Sequence, residues 1–466
     1  NQRGNPCQAE QARVWNDMNI AARSAANGLV ASRVPGFSLG GSQQDLRRLQ
    51  AFAHFSIGVA LGNLALAYER GPMISDADEL ATISSAAEFN EKLALVRYDT
   101  LMAYAISRLD SAEAYATSTS DPISALPSTW IKGKAYTPAE FAGIIRSYRA
   151  RFRAGVARDL AERQAVDWDK VIADATTGIQ SDLLLAIDPS TGWSVSWPNQ
   201  QFASANWHMV PTPIIGMADT SGAYLTWLQT TVANRPQILI KTPDKRFPSG
   251  EDRPAQIANS PATPVAPSGT PYYKGFPYFR NRPSGSDSPG EAWAVSMYDN
   301  YRFATFVNAS SIGDFPIMTK AEIDMLAAEG HIRKGNLAAA ATLIDVYRTR
   351  AGLPATSGTP AAASLANPVP GGSACVPKIP SGTSFQSLTC GNLYEAMKWE
   401  YRMETSMTGW GQWYFAGRGW DDLPIGTATS YPVPFQELDT RQLPIYNLGG
   451  VGKAGGSTAS TYGFGG

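Results

Sequence analysis

The spacing of apolar side chains predicts that the first third of the chain is helical. Apolar residues recur every three or four positions through residues 10–31, 44–68 and 86–116, and we expect each stretch to form one long helix. The most apolar part, between Phe52 and Tyr68, is interrupted by polar residues and is shorter than a membrane-spanning helix needs to be. We therefore interpret it as a buried helix of the core.

Two further helices carry start signals. Thr137, followed by a proline and by Glu140, forms a capping box that predicts a helix over residues 138–159. Asp167 is a helix cap and predicts another helix over 168–178. These patterns predict an N-terminal part in which helix packs on helix.

Helical periodicity is lost between residues 189 and 316. This region is rich in proline, glycine, serine, asparagine and aromatic residues, and only 224–232 keeps a helical pattern. We interpret it as long, ordered loops with a few short strands. Because loops of this length in a compact protein are usually functional, the region is the predicted ligand-binding insertion.

A helical hairpin is predicted where periodicity returns. Its two helices cover residues 318–335 and 336–352, and the first opens with a capping box at Thr319. Gly335 is expected to take the left-handed conformation that ends the first helix, and Asn336 to cap the second. Two antiparallel helices joined by a tight turn are typical of a tetratricopeptide-like unit.

The end of the chain is predicted to be less regular. A capping box at Asn392 opens a helix over residues 393–407, and residues 409–466 have no regular pattern. The tail from Gly449 is rich in glycine and serine, and we expect it to be extended or flexible.

These elements predict one body of mainly α class. It is a tetratricopeptide-like scaffold of helical hairpins that carries long irregular loops and a few short strands. We divide it into an N-terminal helical part (1–188), a loop-rich insertion (189–316) and a C-terminal part with the hairpin, a loop and the tail (317–466).

The charge pattern excludes some functions. Only 17% of residues are charged, the formal net charge is −1, and there is no basic stripe. This argues against binding to nucleic acid and against an electrostatic membrane anchor. The three histidines, His54, His208 and His331, lie far apart without metal-ligand spacing, so we predict neither a metal nor a cofactor.

The cysteines give a clue to the compartment. Cys375 and Cys390 flank a short segment rich in proline, serine and glycine, and we predict a disulfide between them. Closing a loop of this length would contribute about 3 kcal/mol, and a disulfide fits an extracytoplasmic compartment. The alternative is two free thiols in a cytosolic loop. Cys7 is left over.

Several passages form a recognisable series along the chain. They are Tyr68-Glu-Arg-Gly-Pro72, Asp167-Trp-Asp169, the hairpin that runs from Met318 and closes on Arg348-Thr-Arg-Ala-Gly-Leu-Pro354, Leu393-Tyr-Glu-Ala-Met-Lys-Trp-Glu-Tyr-Arg-Met-Glu404, Trp413-Tyr-Phe-Ala-Gly-Arg-Gly-Trp-Asp-Asp-Leu423 and Pro432-Val-Pro-Phe-Gln-Glu-Leu438. Taken in order, these passages resemble the SusD/RagB family of nutrient-binding outer-membrane lipoproteins, and the hairpin is the strongest of them.

The resemblance implies a non-enzymatic protein on the outer face of the outer membrane. It would capture an oligosaccharide or a peptide and pass it to a SusC-like TonB-dependent transporter, with no cofactor. The sequence departs from the family pattern at its start. No lipobox precedes Cys7, and the helix pair expected before Trp15 is absent, which predicts a processed or partial form.

The candidate ligand residues come from the loop-rich insertion. A glycan site needs aromatic platforms for the C–H faces of sugars and polar side chains for their hydroxyl groups, and a peptide would use similar residues. The predicted set is Trp193, Trp197, Trp207, Tyr272, Tyr278, Phe279, Arg280 and Asn281. The alternative for each aromatic residue is that it only pins its loop to the helices.

Two other functions stay open. Glu400 and Glu404 lie one helical turn apart, near Asp421 and Asp422 in sequence, and paired carboxylates can hydrolyse glycosides. Neighbouring basic residues make structural ion pairs the commoner outcome. The glycine- and serine-rich tail, residues 449–466, suggests instead a secreted subunit that assembles with its own copies.

Overall fold

A computed structural model describes residues 8–39, 41–76, 83–194, 209–260, 275–282, 295–357 and 364–464. The N-terminal helices are α1 Gln8–Ser32, α2 Gln43–Ala67, α3 Ala86–Lys92, α4 Tyr98–Ala116, α5 Pro138–Gly155, α6 Leu160–Gln164 and α7 Trp168–Thr176. Strands β1 Arg70–Pro72 and β2 Leu95–Arg97 pair with each other.

The middle of the chain contains short elements. The strands are β3 Leu183–Ile187, β4 Met209–Pro211, β5 Phe279–Asn281, β6 Val295–Asn300 and β7 Gly313–Met318. The helices are α8 Thr212–Ile215, α9 Ala223–Gln229, α10 Arg253–Ala258 and α11 Ala304–Asn308. The C-terminal part holds α12 Lys320–Arg333, α13 Leu337–Arg350, β8 Lys378–Ser381, β9 Ser387–Cys390, α14 Leu393–Glu404, α15 Gln412–Gly419 and α16 Phe435–Thr440.

Helix α2 is the centre of the helical core. It packs against α1, α4 and α5, and nearly every residue of its second half is buried. By length and composition it is the one described helix that could cross a bilayer, but most of its apolar stretch is covered by protein. The predicted buried core helix is therefore confirmed.

Two predicted helix boundaries in this part are wrong. Residues 86–116 form two helices, α3 and α4, because β2 lies between them and pairs antiparallel with β1. An apolar run can serve either structure, and the neighbouring strand decides the outcome. The helix predicted over 138–159 ends at Gly155, and Asp159 caps the separate helix α6.

The predicted hairpin of α12 and α13 is confirmed. Gly335 has φ of +79°, as the turn requires, and the Thr319 side chain accepts a hydrogen bond from the backbone N–H of Glu322. The Glu322 carboxylate does not complete the capping box, because it pairs with Arg151 of α5 (2.6 Å). Asn336 stands at the cap position without a side-chain capping bond. Since α12 also packs on α7, and α7 packs on α5, the hairpin continues the N-terminal helical layer, and the mainly α scaffold is confirmed.

The loop-rich insertion shares a second core with the C-terminal part of the chain. Strands β4, β6 and β5 form an antiparallel sheet in that order, and β3 pairs with β7. Aromatic side chains from the insertion, from α14 and from the tail form a second buried cluster, whose members include Tyr224, Trp227, Phe247, Phe279, Tyr298, Trp399, Tyr462 and Phe464.

The end of the tail, which was predicted to be extended or flexible, is packed against the rest of the chain. Tyr462 and Phe464 are buried, and the backbone N–H of Ile425 donates to the Phe464 carbonyl (3.1 Å). Aromatic side chains dock the tail onto the second cluster, which its glycine-rich composition does not reveal. Cys375 and Cys390 form a disulfide, with their Cα atoms 5.9 Å apart, at the base of the β8–β9 hairpin.

Candidate functional site

Three of the eight predicted ligand residues lie in the interior. Tyr278, Phe279 and Asn281 are at most 1% exposed. The Tyr278 hydroxyl donates to Glu404 (3.1 Å), and the Phe279 ring packs against Phe247 with centroids 5.0 Å apart. These residues fix the loops to the core, so the interpretation as an exposed ligand platform does not fit them.

Arg280 is held by an internal partner. Its guanidinium makes two hydrogen bonds to the carboxylate of Asp299 on the neighbouring strand (2.8 and 3.0 Å). Burial raises the pKa of Asp299 to about 6, although the Arg280 hydrogen bonds act in the opposite direction. The positive charge of Arg280 therefore compensates a buried carboxylate and is not free to meet a ligand.

The other four predicted residues are only partly described. Trp193 is half-buried and closes a short turn by pairing with Asp188. Trp197, Trp207 and Tyr272 lie outside the described residues. Their predicted ligand role stays a prediction.

The carboxylates considered for hydrolysis are buried in ion pairs. Arg246 bonds to Glu400 (2.7 Å) and to Asp244 (2.8 Å), and Arg350 pairs with Glu404 (2.7 Å). Burial raises the pKa of Glu400, while Arg246 opposes that shift. A glycosidase needs carboxylates that face an open cleft, whereas these side chains have almost no exposed surface.

The same holds for one member of the second carboxylate pair. Asp422 is buried and accepts hydrogen bonds from Lys398 (3.2 Å) and from Arg402, whereas Asp421 is half-buried. The interpretation as structural ion pairs therefore fits Glu400, Glu404 and Asp422, and the hydrolase alternative loses three of its four candidate residues.

A cavity of about 320 Å³ lies between the β4–β6 edge of the insertion and the loop that joins α14 to α15. We call it the tryptophan groove. Its lining consists of Met209, Val210, Pro211, Asn300 and residues 405–414. The groove joins the loop-rich insertion to the C-terminal helices, and Trp207, one of the predicted residues, is two positions before β4 in the sequence.

Backbone geometry places the aromatic side chains of the groove. Between the two helices the chain is left-handed at Met407 (φ 59°), Gly409 (φ 64°) and Gly411 (φ 70°). A Cβ atom at Gly411 would lie 2.8 Å from the Phe415 ring, so this position needs glycine both for its conformation and for space. The tight loop turns the intervening Trp410 towards the groove.

Hydrogen bonds and ring contacts then fix each aromatic residue. The indole N–H of Trp413 donates to the carbonyl of Arg402 (2.6 Å), and the Tyr414 hydroxyl donates to the carbonyl of Ala428 (2.6 Å). Trp410 packs edge-on against Phe415. All three groove aromatics are half-buried, so part of each ring remains accessible on a rigid support.

The polar groups of the groove are neutral. Asn300 donates to the Ser406 hydroxyl (2.8 Å), and the Tyr401 hydroxyl donates to Gln412 (3.3 Å). Thr408 is only 2% exposed, and its hydroxyl has no hydrogen-bond partner among the described residues. Because a buried hydroxyl without a partner is costly, it is a natural contact for a polar ligand group.

The lining has a clear chemical preference. No aspartate, glutamate, lysine, arginine or histidine is among the groove residues that the structure describes. The described ranges also hold no cluster of three or more side chains that could bind a metal ion. Rings for C–H faces, amides and hydroxyls without charge suit a neutral, polyhydroxylated ligand.

Sequence reasoning missed this groove. Its aromatics are Trp410, Trp413 and Tyr414, which lie in the segment predicted to be irregular, and only Trp413 and Tyr414 belong to a passage that resembles the family. The signal was present as two glycines around a tryptophan, Gly409-Trp410-Gly411, directly after a helix. Such a pattern places an aromatic residue on a tight turn, where its ring cannot be fully covered.

Known proteins resemble this chain in structure. No family model matches it, and no curated protein does. A SusD superfamily protein from Bacteroides vulgatus aligns with a TM-score of 0.44 and 15% identity, over 88% of this chain and 74% of its own. A SusD-like carbohydrate binding protein from the same species gives 0.43 and 15%, over 97% and 80%. Surface glycan-binding protein A from Bacteroides uniformis gives 0.45 and 11%, over 94% and 85%.

Proposed function

We propose that this protein binds glycans at the cell surface through the tryptophan groove, without catalysing a reaction. The observation that carries the proposal is the groove itself, in which three anchored, half-buried aromatic rings surround neutral polar groups and the unpartnered Thr408 hydroxyl. Stacking of a sugar on an aromatic ring needs no carboxylate or imidazole, and the described lining has neither.

The finer parts of the proposal come from the family resemblance. The location is the outer face of the outer membrane, and the bound oligosaccharide is handed to a SusC-like TonB-dependent transporter. A peptide nutrient is the alternative ligand. Assembly through the tail is less favoured, because Tyr462 and Phe464 would first have to leave the core of their own chain.

Thr408→Val tests the groove with little risk to the fold. The change keeps the shape of the side chain and removes only the hydroxyl, which has no partner to lose. We expect unchanged or slightly raised stability and a roughly tenfold weaker affinity for the glycan, because one ligand hydrogen bond is lost. Calorimetry against a panel of neutral oligosaccharides and peptides, with product analysis of the same samples, measures this.

Trp410→Ala is the companion variant. Loss of one stacking platform should abolish measurable binding. The matched control is Trp130→Ala, since Trp130 is also half-buried but packs against Phe52 in the N-terminal part. Equal losses in both tryptophan variants, or product formation from any sugar, would contradict the proposal. Saturable binding of peptides, with no binding of any oligosaccharide, would mean that the ligand of the groove is a peptide and not a glycan.

A further inference from the structure

A second cavity, of about 290 Å³, lies on the loop-rich half. Five segments meet there. They are α8 at Pro213, the end of α9 with the turn that follows it, the tip of the β8–β9 hairpin, the chain at Ile425, and the tail at residues 460–464. We call it the arginine pocket, because Arg235 is the charged side chain in its lining.

Among the described residues, Arg235 is a cation without a counterion. Its guanidinium lies over the Trp227 ring, 3.9 Å from the centroid, and its Nε–H contacts the carbonyls of Trp227 (3.2 Å) and Thr230 (3.3 Å). In the described parts of the chain no carboxylate pairs with it, and no acid is among the described lining residues. Most other half-buried or buried arginines here, such as Arg246 and Arg280, do have a carboxylate partner.

The indole N–H of Trp227 is a second hydrogen-bond donor without an acceptor among the described residues. Trp227 lines the pocket, is 2% exposed, and its indole N–H has no hydrogen-bond partner among the described residues. Buried N–H groups are normally satisfied, so this orphan points to a missing acceptor. A cation and an N–H donor in one pocket call for an acceptor that carries negative charge.

The rest of the lining adds an apolar wall and hydroxyl groups. Phe385, Val232 and Ile425 present apolar surface, and the last two are well exposed at the rim. Ser384 and Gln386 contribute polar side chains from the hairpin tip. A ring with one apolar face, several hydroxyls and one carboxylate would satisfy all of these groups together.

We infer that the arginine pocket is a binding site for a carboxylate-bearing sugar, a uronic acid residue of an acidic glycan, whose carboxylate is held by Arg235. This rests on the proposed function, since it takes the ligand to be a glycan. It differs from the tryptophan groove, whose lining is neutral. The protein would then bind a neutral part of a glycan in the tryptophan groove and an acidic sugar residue in the arginine pocket.

The pocket is held together by specific contacts. Gln229 of α9 donates to the carbonyl of Gln386 (3.2 Å), and the disulfide clamps the base of the same hairpin. The tail passes so close to the tip that a Cβ atom at Gly463 would lie 2.3 Å from the Phe385 ring. Glycine at this position, with φ of +70°, is therefore part of the pocket's construction.

The experiment compares trigalacturonate with its fully methyl-esterified form by calorimetry at pH 7 and low salt. The wild-type protein should bind the acid about tenfold more tightly than the ester, and added salt should reduce that difference. This comparison needs no variant, so it holds whether or not a variant folds. Equal affinities for acid and ester would overturn the inference.

Arg235→Gln tests whether Arg235 causes the preference for the acid over the ester. The variant should bind acid and ester equally, whereas Arg235→Lys should keep part of the preference because it keeps the charge. Thr408→Val should leave the acid preference unchanged, so failure of the tryptophan groove and failure of the arginine pocket give different results. Preference retained in Arg235→Gln would refute the assignment. So would Arg235-dependent binding of the peptide acetyl-Ala-Leu-Ile, which would assign the pocket to a peptide carboxylate.

Discussion

The helical scaffold and the loop-rich half are held together by different means. In the scaffold, one apolar cluster runs from α2 through α5 to α12, with members such as Ile57, Phe141 and Met325. In the loop-rich half, aromatic rings and a buried ionic network around Arg246 join the insertion to α14. The helical core follows from local periodicity, whereas the second core depends on partners far away in sequence.

The buried ionic network around Arg246 illustrates the difference between the loop-rich half and the scaffold. Arg246 and Glu400 are 154 positions apart and both are fully buried. The scaffold also has buried pairs that are distant in sequence, Arg151 with Glu322 and Arg163 with Glu329, but the first of them joins α5 and α12, two helices that are also packed against each other. Where helices do not pack against helices, buried ion pairs fix the position of the loops on the helices.

Arg246→Met should have the largest effect on stability. The change leaves the carboxylates of Asp244 and Glu400 buried without their counterion, and removing one partner of a buried pair costs about 3–5 kcal/mol. Urea unfolding followed by circular dichroism measures the loss in the free energy of unfolding.

Lys241→Gln is the matched control in the same segment. Lys241 also pairs with an acid, Glu251 (2.5 Å), but the two side chains are 41% and 90% exposed. We expect a change within about 0.5 kcal/mol, since exposed pairs contribute little. Similar losses in both variants would show that the segment responds to any lost charge, and the contrast between the two halves would fail.

Gly62→Ala tests the scaffold, where shape rather than charge should decide. Gly62 is in the middle of α2, and a Cβ atom there would lie 2.2 Å from the Phe152 ring of α5. Overpacking should cost about 1–3 kcal/mol, although alanine favours the helix. Gly28→Ala in α1 is the control, because nothing lies within 4 Å of its added Cβ, and this variant should gain about 0.5–1 kcal/mol. Thermal unfolding of the two variants should therefore shift in opposite directions.

The same division explains what could be predicted from the sequence. The capping box at Thr137 and the left-handed Gly335 depend on a few neighbouring residues, and both were predicted. The burial of Tyr278 could not be, because its hydroxyl partner Glu404 lies 126 positions away. The strand β2 was missed for a related reason, since its apolar run fits a helix until β1 is placed beside it.

The candidate sites, like the burial of Tyr278, depend on contacts between distant segments and are therefore hard to predict from the sequence. Aromatic composition identifies residues with large ring surfaces, but it does not distinguish Phe279, which is covered, from Trp410, which is half-buried. Exposure depends on which segment packs over a ring. An unpartnered group such as the Thr408 hydroxyl can be recognised only when all its neighbours are known.

His54 gives a predicted effect that depends on pH and is specific to the scaffold. It lies buried in α2, where burial lowers its pKa to about 4, and nearby Arg108 acts in the same direction. In the unfolded chain the imidazole titrates near 6.5. Between these two values the unfolded chain binds more protons than the folded protein. The free energy of unfolding should therefore fall as pH drops from 6.5 to 4, by about 2 kcal/mol after allowance for solvent screening.

His54→Gln separates this contribution from that of the carboxylates. Glutamine keeps an acceptor near Arg108, whose Nη1 lies 3.4 Å from the imidazole Nδ1, but it does not titrate. Subtracting the variant's pH profile from that of the wild type should leave a slope confined to pH 4–6.5, because other acids titrate in both proteins. Parallel profiles would mean that His54 is protonated in the folded protein as easily as in the unfolded chain. In that case Asp76, which bonds to Arg108 (2.8 Å), would have to stabilise the imidazolium, and the scaffold would depend on charge as the loop-rich half does.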